Sequence, residues 1–208
     1  MPKVGKARGR RGLVLLAAAG LAALLGGCGA GGQTTNPPPA TEQQQVSSPN
    51  GDTAEVAGMA KSEPVSVDIP KIGARSTLVQ LGLNADGTVQ VPPVSQPMQA
   101  GWYSYSPTPG ATGPAIILGH IDGNKQKGIF YRLKELTPGD KITIARKDGS
   151  TAHFVVTKVD QVPKDIFPTH AVYDDTMNPE LRLITCGGSF DHAAHNYRDN
   201  VIVYATLQ

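Results

Sequence analysis

The strongest constraint on the fold is a series of short, β-branched apolar runs separated by turns rich in glycine and proline. The run "AIILGH" (115–120) is almost continuously apolar, which is typical of a strand buried on both faces. "KITIAR" and "AHFVVTKVD" are separated by "KDGS", a turn sequence that favours a hairpin. With 24 glycines, 17 prolines and no long amphipathic helix, the pattern predicts an all-β fold, a closed or nearly closed β-barrel.

The remaining strand candidates lie on either side of this central region. "VSVDIP" alternates between apolar and polar residues, and "ELRLITC" and "NVIVYATL" form two more apolar runs near the C-terminus. The stretch "GIFYRLKEL" differs, because Phe130, Leu133 and Leu136 recur every third residue. That spacing predicts a short helix or a single helical turn laid on the barrel.

The first 28 residues have the composition of an export signal and membrane anchor. Five basic residues and no acidic residue precede an apolar run over 12–27. The sequence "LGGC" that ends at Cys28 resembles a bacterial lipobox, which makes Cys28 a candidate lipidation site. An uncleaved signal anchor is the alternative. Both predict a chain held by its N-terminal segment at the extracytoplasmic face of the cell membrane.

The exported part divides into two segments by composition. Residues 29–63 are dominated by Gly, Pro, Gln, Ser and Thr and contain no aromatic residue, which predicts a flexible stalk. Residues 64–208 carry all the strand candidates and are long enough to form one domain with a single core.

The net charge of the chain does not favour nucleic-acid binding. The formal net charge of +2 comes from 19 basic and 17 acidic residues. Without the five basic residues of the signal, 14 basic and 17 acidic residues remain, a net charge of −3. We therefore expect no nucleic-acid partner. Phosphate-loop, dinucleotide and zinc-binding spacings are also absent from the sequence.

Cys186 is a candidate nucleophile in a chain that contains two cysteines. The pattern places it where the strand "LRLIT" runs out into Gly-Gly, so that backbone N–H groups can approach a substrate closely. Arg198 opens the next strand candidate, and antiparallel neighbours would bring both residues to one rim of the barrel. Taken alone, Cys186 also fits an inert core residue. A disulfide with Cys28 is a further alternative, which anchoring at Cys28 disfavours.

The sequence contains 5 histidines, and they differ in their fitness as a base for Cys186. His120 ends the buried strand candidate and lies at a strand-to-loop rim. His153 lies inside a strand candidate and His170 in a predicted loop. His192 and His195 are close to Cys186 in sequence, but the pattern predicts that they belong to a solvated loop. His120 is therefore the favoured base, because folds usually bring catalytic bases from a distance.

Together, these motifs resemble a known family. "LGHID", "LITCGGSFD" and "YRDNVIVYA" are similar to sortases, the cysteine transpeptidases of Gram-positive cell surfaces. "IPKIG", "LGLNADGTVQVPP", "FYRLKELTPGD" and "PKDIFPTHAVY" resemble the class F branch found in actinobacteria. The resemblance covers about 64–207. It implies a sortase-like closed β-barrel of about eight strands with short helical turns.

The resemblance also assigns the site. His120, Cys186 and Arg198 match the catalytic histidine, cysteine and arginine. Asp122, Thr185 and Asp199 also match the motifs. They are expected to support the site by orienting His120 or Arg198, or to have ordinary turn and strand-end roles. No cofactor and no metal ion are implied.

The implied reaction is a transpeptidation. The Cys186 thiolate cleaves an LPXTG-like sorting signal between Thr and Gly, and the resulting thioacyl intermediate is passed to an amine of a peptidoglycan precursor or of the cell wall. The implied partners are sorting-signal proteins and that wall acceptor. The stalk carries no evident lid motif, which favours general wall anchoring over pilus assembly.

Two other functions are alternatives to this one. An L,D-transpeptidase carries its nucleophile in a Ser-His-Gly-Cys context with an arginine two residues later, and "ITCGG" does not match. A non-catalytic surface lipoprotein whose sortase-like barrel only binds wall peptides is the other alternative. The intact set of His120, Cys186 and Arg198 argues against it.

Overall fold

The computed structural model describes residues 57–208, which form ten strands. Eight of these close into a barrel in the order β1-β2-β3-β4-β9-β10-β8-β7, and β5 and β6 form a separate two-stranded hairpin. The strands are β1 Pro64–Ile69, β2 Ala74–Leu81, β3 Ala100–Tyr103, β4 Gly113–Gly119, β5 Asp122–Gly123, β6 Gln126–Lys127, β7 Lys141–Arg146, β8 Thr151–Pro163, β9 Pro179–Asp191 and β10 Asn196–Leu207. The predicted all-β barrel of about eight strands is confirmed.

Helical structure in the described residues is confined to short turns. One α-helix, α1, spans Thr169–Tyr173, and 3₁₀ turns span Pro70–Ile72, Leu133–Glu135 and Lys164–Ile166. The turn predicted from "GIFYRLKEL" is the second of these 3₁₀ turns. The three apolar residues at its spacing, Phe130, Leu133 and Leu136, are buried in the main core of the barrel.

β4 has apolar neighbours on both of its faces, as its sequence predicted. Ala115 and Ile117 belong to the main core, which the inward-facing residues of the barrel strands form. Ile116 and Leu118 pack on the opposite face in a second cluster, which also contains Val172 of α1. Because α1 and the segment before β3 cover the outer face of β4, neither face of this strand is exposed to water. Its sequence is therefore a continuous apolar run.

The pairing of β4 with β9 positions the candidate site. The two strands run parallel, with Leu118 opposite Ile184. Two residues further along each strand are His120 and Cys186, so this register brings two segments 66 residues apart in the sequence to the same edge of the barrel.

The hairpin of β9 and β10 corrects one expectation. The sequence predicted a strand that ends at Cys186 and a polar loop up to Tyr197, whereas β9 continues to Asp191 and β10 begins at Asn196. Gly188, at φ +73°, and a register shift between Tyr197 and Asp199 accommodate the bend in the ladder. The Phe190 and Tyr197 rings, 5.1 Å apart, then pair across the extended hairpin.

The residues just before β1 lie against the barrel. The backbone N–H of Met59 donates to the Gly110 carbonyl at 2.7 Å, and the buried Arg146 guanidinium donates to the Ala60 carbonyl and to Met59 Sδ. Within residues 57–208, no helix is long and apolar enough to cross a membrane. The predicted signal (1–28), Cys28 and residues 29–56 of the predicted stalk lie outside the described residues.

Candidate active site

A groove of about 760 Å³ runs along the barrel edge where β4 and β9 end, and His120 and Cys186 both line it. Its other walls come from the segment before β3, the β5 hairpin, the start of the 3₁₀ turn after β8 and the tip of the β9–β10 hairpin. Both side chains are partly exposed, so a substrate in the groove can reach them. The structure thus brings the predicted base and the predicted nucleophile into one site.

The ring of His120 is oriented by a backbone carbonyl. Its Nε2 atom lies 2.7 Å from the carbonyl oxygen of Pro92. A carbonyl can only accept a hydrogen bond, so Nε2 carries the proton and Nδ1 of the neutral ring is the nitrogen with a free lone pair. His120 is therefore held in one tautomer, and Nδ1 is the atom that can exchange a proton.

The sulfur of Cys186 contacts a lysine that the sequence analysis did not single out. Lys164 Nζ lies 3.6 Å from Cys186 Sγ and donates a 2.6 Å hydrogen bond to Asn196 Oδ1. Lys164 follows the last residue of β8, and Asn196 is the first residue of β10. A sequence signal for this contact was lacking, because it depends on the pairing of β8 with β10.

Arg198 lies beside the groove rather than in it. It stands at the register shift of β10, where its neighbour Asp199 pairs with Gly187. Its side chain is 66% exposed and donates to Asp191 Oδ2 at 3.2 Å. It lines an adjacent groove, to which Lys164 also contributes. Arg198 and Cys186 thus line different clefts, although their backbones lie in paired strands at the same end of the barrel.

Asp191 is the acid that holds Arg198. Backbone N–H groups of Ala194 and Ala193 donate to its carboxylate, and together with Arg198 they lower the pKa of Asp191 below its ordinary value of 3.8. The hairpin tip therefore keeps an ionised carboxylate paired with Arg198.

The three supporting positions have other partners. Asp122 accepts a hydrogen bond from the Tyr197 hydroxyl, and Asp199 accepts one from Gln161 Nε2 at 2.7 Å. The expected contacts of these acids with His120 or Arg198 are not among the hydrogen bonds of residues 57–208. Thr185 is buried, and its hydroxyl lacks a hydrogen-bond partner within the described part of the chain.

Tyr197 and His195 also line the groove, although Tyr197 was not a candidate site residue and His195 was disfavoured as the base. The hydrogen bond to Asp122, with burial, raises the pKa of Tyr197 to about 12, so its hydroxyl remains a donor. His195 was expected in a solvated loop, yet it lines the groove from a turn in which its φ is +48°. For Tyr197, the sequence signal that could have indicated a place in the site was its position in the motif "YRDNVIVYA".

A second, smaller cleft of about 220 Å³ reaches Cys186 from another side. It shares Thr185 and Cys186 with the large groove, and its other lining residues include Tyr131, Lys134, Gln161, Gly187 and Gly188. The thiol therefore lies where two clefts meet. A cluster of three or more side chains able to hold a metal ion was not found in residues 57–208.

Comparisons with known proteins agree with this architecture. The family model described as "Sortase domain" matches residues 67–208. No curated protein matches the sequence. The chain belongs to the sortase family.

Solved sortases of several classes share the fold. Sortase A from Corynebacterium diphtheriae is 20% identical with a TM-score of 0.53, and the match covers 72% of this chain and 62% of that one. A sortase D5 transpeptidase from Clostridium perfringens is 19% identical with a TM-score of 0.51, over 71% and 79% of the two chains. Streptococcus agalactiae sortase C1 is 17% identical with a TM-score of 0.53, over 69% and 66%. At such identities the likeness shows the fold alone.

Proposed function

We propose that this protein is a cysteine transpeptidase that cleaves an LPXTG-like sorting signal between Thr and Gly and transfers the acyl group to a cell-wall amine. The observation that carries the proposal is the position of Cys186, which shares a groove with His120 and lies at the junction of two clefts. A transfer reaction needs a nucleophile that two substrates can reach, and a peptide-binding protein does not.

In the first half-reaction, the Cys186 thiolate attacks the threonine carbonyl of a peptide bound in the large groove. The C–N bond to glycine breaks, and protonated His120 gives its Nδ1 proton to the departing amine. Arg198 donates to the developing oxyanion after its guanidinium leaves Asp191 and turns toward the groove. The product is a thioester on Cys186 and a free glycyl amine.

In the second half-reaction, an acceptor amine approaches the thioester through the small cleft while the acyl chain occupies the groove. Neutral His120 takes the proton of the attacking amine through Nδ1, the C–S bond breaks, and a new amide leaves the enzyme. Water in place of the amine gives hydrolysis.

The class and cellular setting of this proposal come from the sequence motifs. They favour a class F enzyme anchored by its N-terminal segment at the extracytoplasmic membrane surface of a Gram-positive cell, serving general wall anchoring. The glycine pair beside Cys186 supports a backbone oxyanion site, because Gly187 and Gly188 line the small cleft and carry no side chain that would keep a substrate from the backbone.

Intact mass spectrometry tests the proposal. The full chain in mild detergent is incubated with an LPXTG-type peptide library, with and without an added amine. We expect an acyl adduct that Cys186→Ala abolishes, that corresponds to cleavage between Thr and Gly, and that the amine discharges. A protein that binds the peptides but forms no adduct would instead be the non-catalytic wall-peptide-binding protein.

A further inference from the structure

We propose that Lys164 is a catalytic residue, whose ammonium group stabilises the thiolate of Cys186 before substrate binds. The role rests on the proposed transpeptidase function and adds a fourth residue to His120, Cys186 and Arg198.

The position of the amine is fixed from both sides. Lys164 Nζ lies 3.6 Å from Cys186 Sγ and 2.6 Å from Asn196 Oδ1. The backbone is equally constrained, since Pro163 ends β8 in register with Asp199 of β10 and the 3₁₀ turn begins at Lys164. The ammonium group thus bridges the hairpin tip and the nucleophile.

Within residues 57–208, Lys164 forms no ion pair with a carboxylate, whereas Lys147 and Lys158 pair with Glu63 and Asp160. Three acids line the adjacent groove with Lys164: Asp191 pairs with Arg198, Asp199 accepts from Gln161, and Asp165 forms no ion pair within residues 57–208. The amide oxygen of Asn196 orients the ammonium group without neutralising it. A positive charge this close to sulfur favours the ionised thiol.

The other charged and titratable groups around the thiol come from several elements. The large groove contributes Asp86, His120, Asp122, His195 and Tyr197, the small cleft contributes Tyr131 and Lys134, and Arg198 and Asp199 lie on β10. Among the described residues, Lys164 is the cation with a direct contact to Sγ. Ionisation releases the thiol proton to His120 Nδ1 or to water, and no bond to Lys164 forms.

In this assignment, Lys164 and Arg198 have different roles. Lys164 acts on the sulfur of the free enzyme, whereas Arg198, which is exposed and paired with Asp191, acts on the substrate oxygen. Mutation of Lys164 should therefore slow reactions of the thiol that involve no peptide at all.

The test is the rate at which iodoacetamide alkylates Cys186 in the full chain in mild detergent, followed by peptide mapping so that Cys28 does not contribute. We expect Lys164→Met to lower the rate about tenfold at pH 7, and the difference to close near pH 10, where thiols are ionised. Lys164→Arg should restore most of the rate. Lys158→Met, which removes a lysine paired with Asp160 elsewhere on β8, is the matched control.

Equal rates for wild type and a folded Lys164→Met protein at pH 7 overturn the proposal. Should Lys164→Met fail to fold, Asn196→Ala is the second variant, because it removes the hydrogen bond that positions the ammonium group. We expect Asn196→Ala to lower the alkylation rate as well. An unchanged alkylation rate in this variant also overturns the proposal. The transpeptidase function fails separately. If no sorting peptide acylates Cys186, yet Lys164→Met still lowers the alkylation rate, the proposed transpeptidase function is wrong and the lysine–thiolate pair stands.

Discussion

The phenolic hydroxyl of Tyr197 donates a hydrogen bond to the carboxylate of Asp122, and the two residues are separated by 75 positions in the sequence. The bond joins the tip of the β9–β10 hairpin to the small β5–β6 hairpin. Both residues line the large groove beside Cys186. One side-chain contact therefore fixes the distance between two walls of the groove.

Tyr197→Phe should loosen the groove without unfolding the barrel. The variant keeps the ring that packs on Phe190 and loses only the hydroxyl. Because the pair is solvent-accessible, we expect the free energy of unfolding to fall by on the order of 1 kcal/mol. kcat/KM for a sorting peptide should fall severalfold. Urea unfolding and steady-state kinetics measure the two effects.

Tyr105→Phe is the matched control, since this ring is 73% exposed and lies outside both clefts. It should change neither quantity. Equal kcat/KM for Tyr197→Phe and wild type would contradict a role for the hydroxyl in shaping the groove.

Two glycines allow backbone strain to be separated from steric overlap. Gly149, in the β7–β8 turn, and Gly188, beside Cys186, both have positive φ, at +84° and +73°. A Cβ at Gly149 has no atom within 4 Å, whereas a Cβ at Gly188 overlaps the carboxylate of Asp199. We expect Gly149→Ala to cost about 1 kcal/mol and Gly188→Ala roughly 2–3 kcal/mol.

Urea unfolding measures both costs. Gly188→Ala should also disturb the hydrogen bond from Gln161 to Asp199, because the carboxylate must move. If the two alanine variants were equally stable, Asp199 would have to move without cost, and the close packing beside Cys186 would not contribute to the free energy of unfolding.

The strands could be predicted from the sequence wherever burial restricted their positions to apolar residues. β4 lies between two apolar clusters, so its run has no polar residue, and the β7–β8 turn needs Gly149 at positive φ. The extension of β9 past Cys186 was not predictable. Residues 187–191 are mostly exposed or half-buried, so their pairing leaves no apolar periodicity to detect.

The site was predictable only in part, for a related reason. His120 and Cys186 lie at positions set by the register of β4 and β9, and their motifs identify them. The side-chain direction of Arg198 depends on a bulge, and the contact of Lys164 depends on where β8 ends against β10. Such tertiary details have no local sequence signature.

The acidity of Asp191 predicts how the hairpin tip responds to pH. The pKa of Asp191 in the folded protein lies below its ordinary value of 3.8. The ionised carboxylate therefore stabilises the folded protein above pH 3.8, and this contribution is lost as the pH falls through the lowered pKa. Asp191→Asn should therefore unfold at a lower temperature than wild type at pH 7, and the difference should shrink at pH 2.5. Asp175→Asn, an exposed acid elsewhere, should show no comparable change.

The segment before β1 gives a last prediction, about the boundary of the folded domain. Residues 59–63 form several hydrogen bonds with the barrel, among them the Lys147 N–H to the Glu63 carbonyl at 2.8 Å. Arg146 is only 4% exposed, and part of its guanidinium is satisfied by Ala60 and Met59. A chain that begins at residue 64 leaves that buried charge short of partners, which costs about 2–4 kcal/mol.

A double-mutant cycle distinguishes this charge effect from a general loss of contacts. In a chain of residues 57–208, Arg146→Met should lower the free energy of unfolding, because it removes the partner of Ala60. In a chain of residues 64–208, the same change should be close to neutral or stabilising, because it removes a buried charge that has lost acceptors. Urea unfolding of the four proteins gives the coupling energy. A coupling near zero would mean that residues 57–63 do not stabilise the barrel through Arg146.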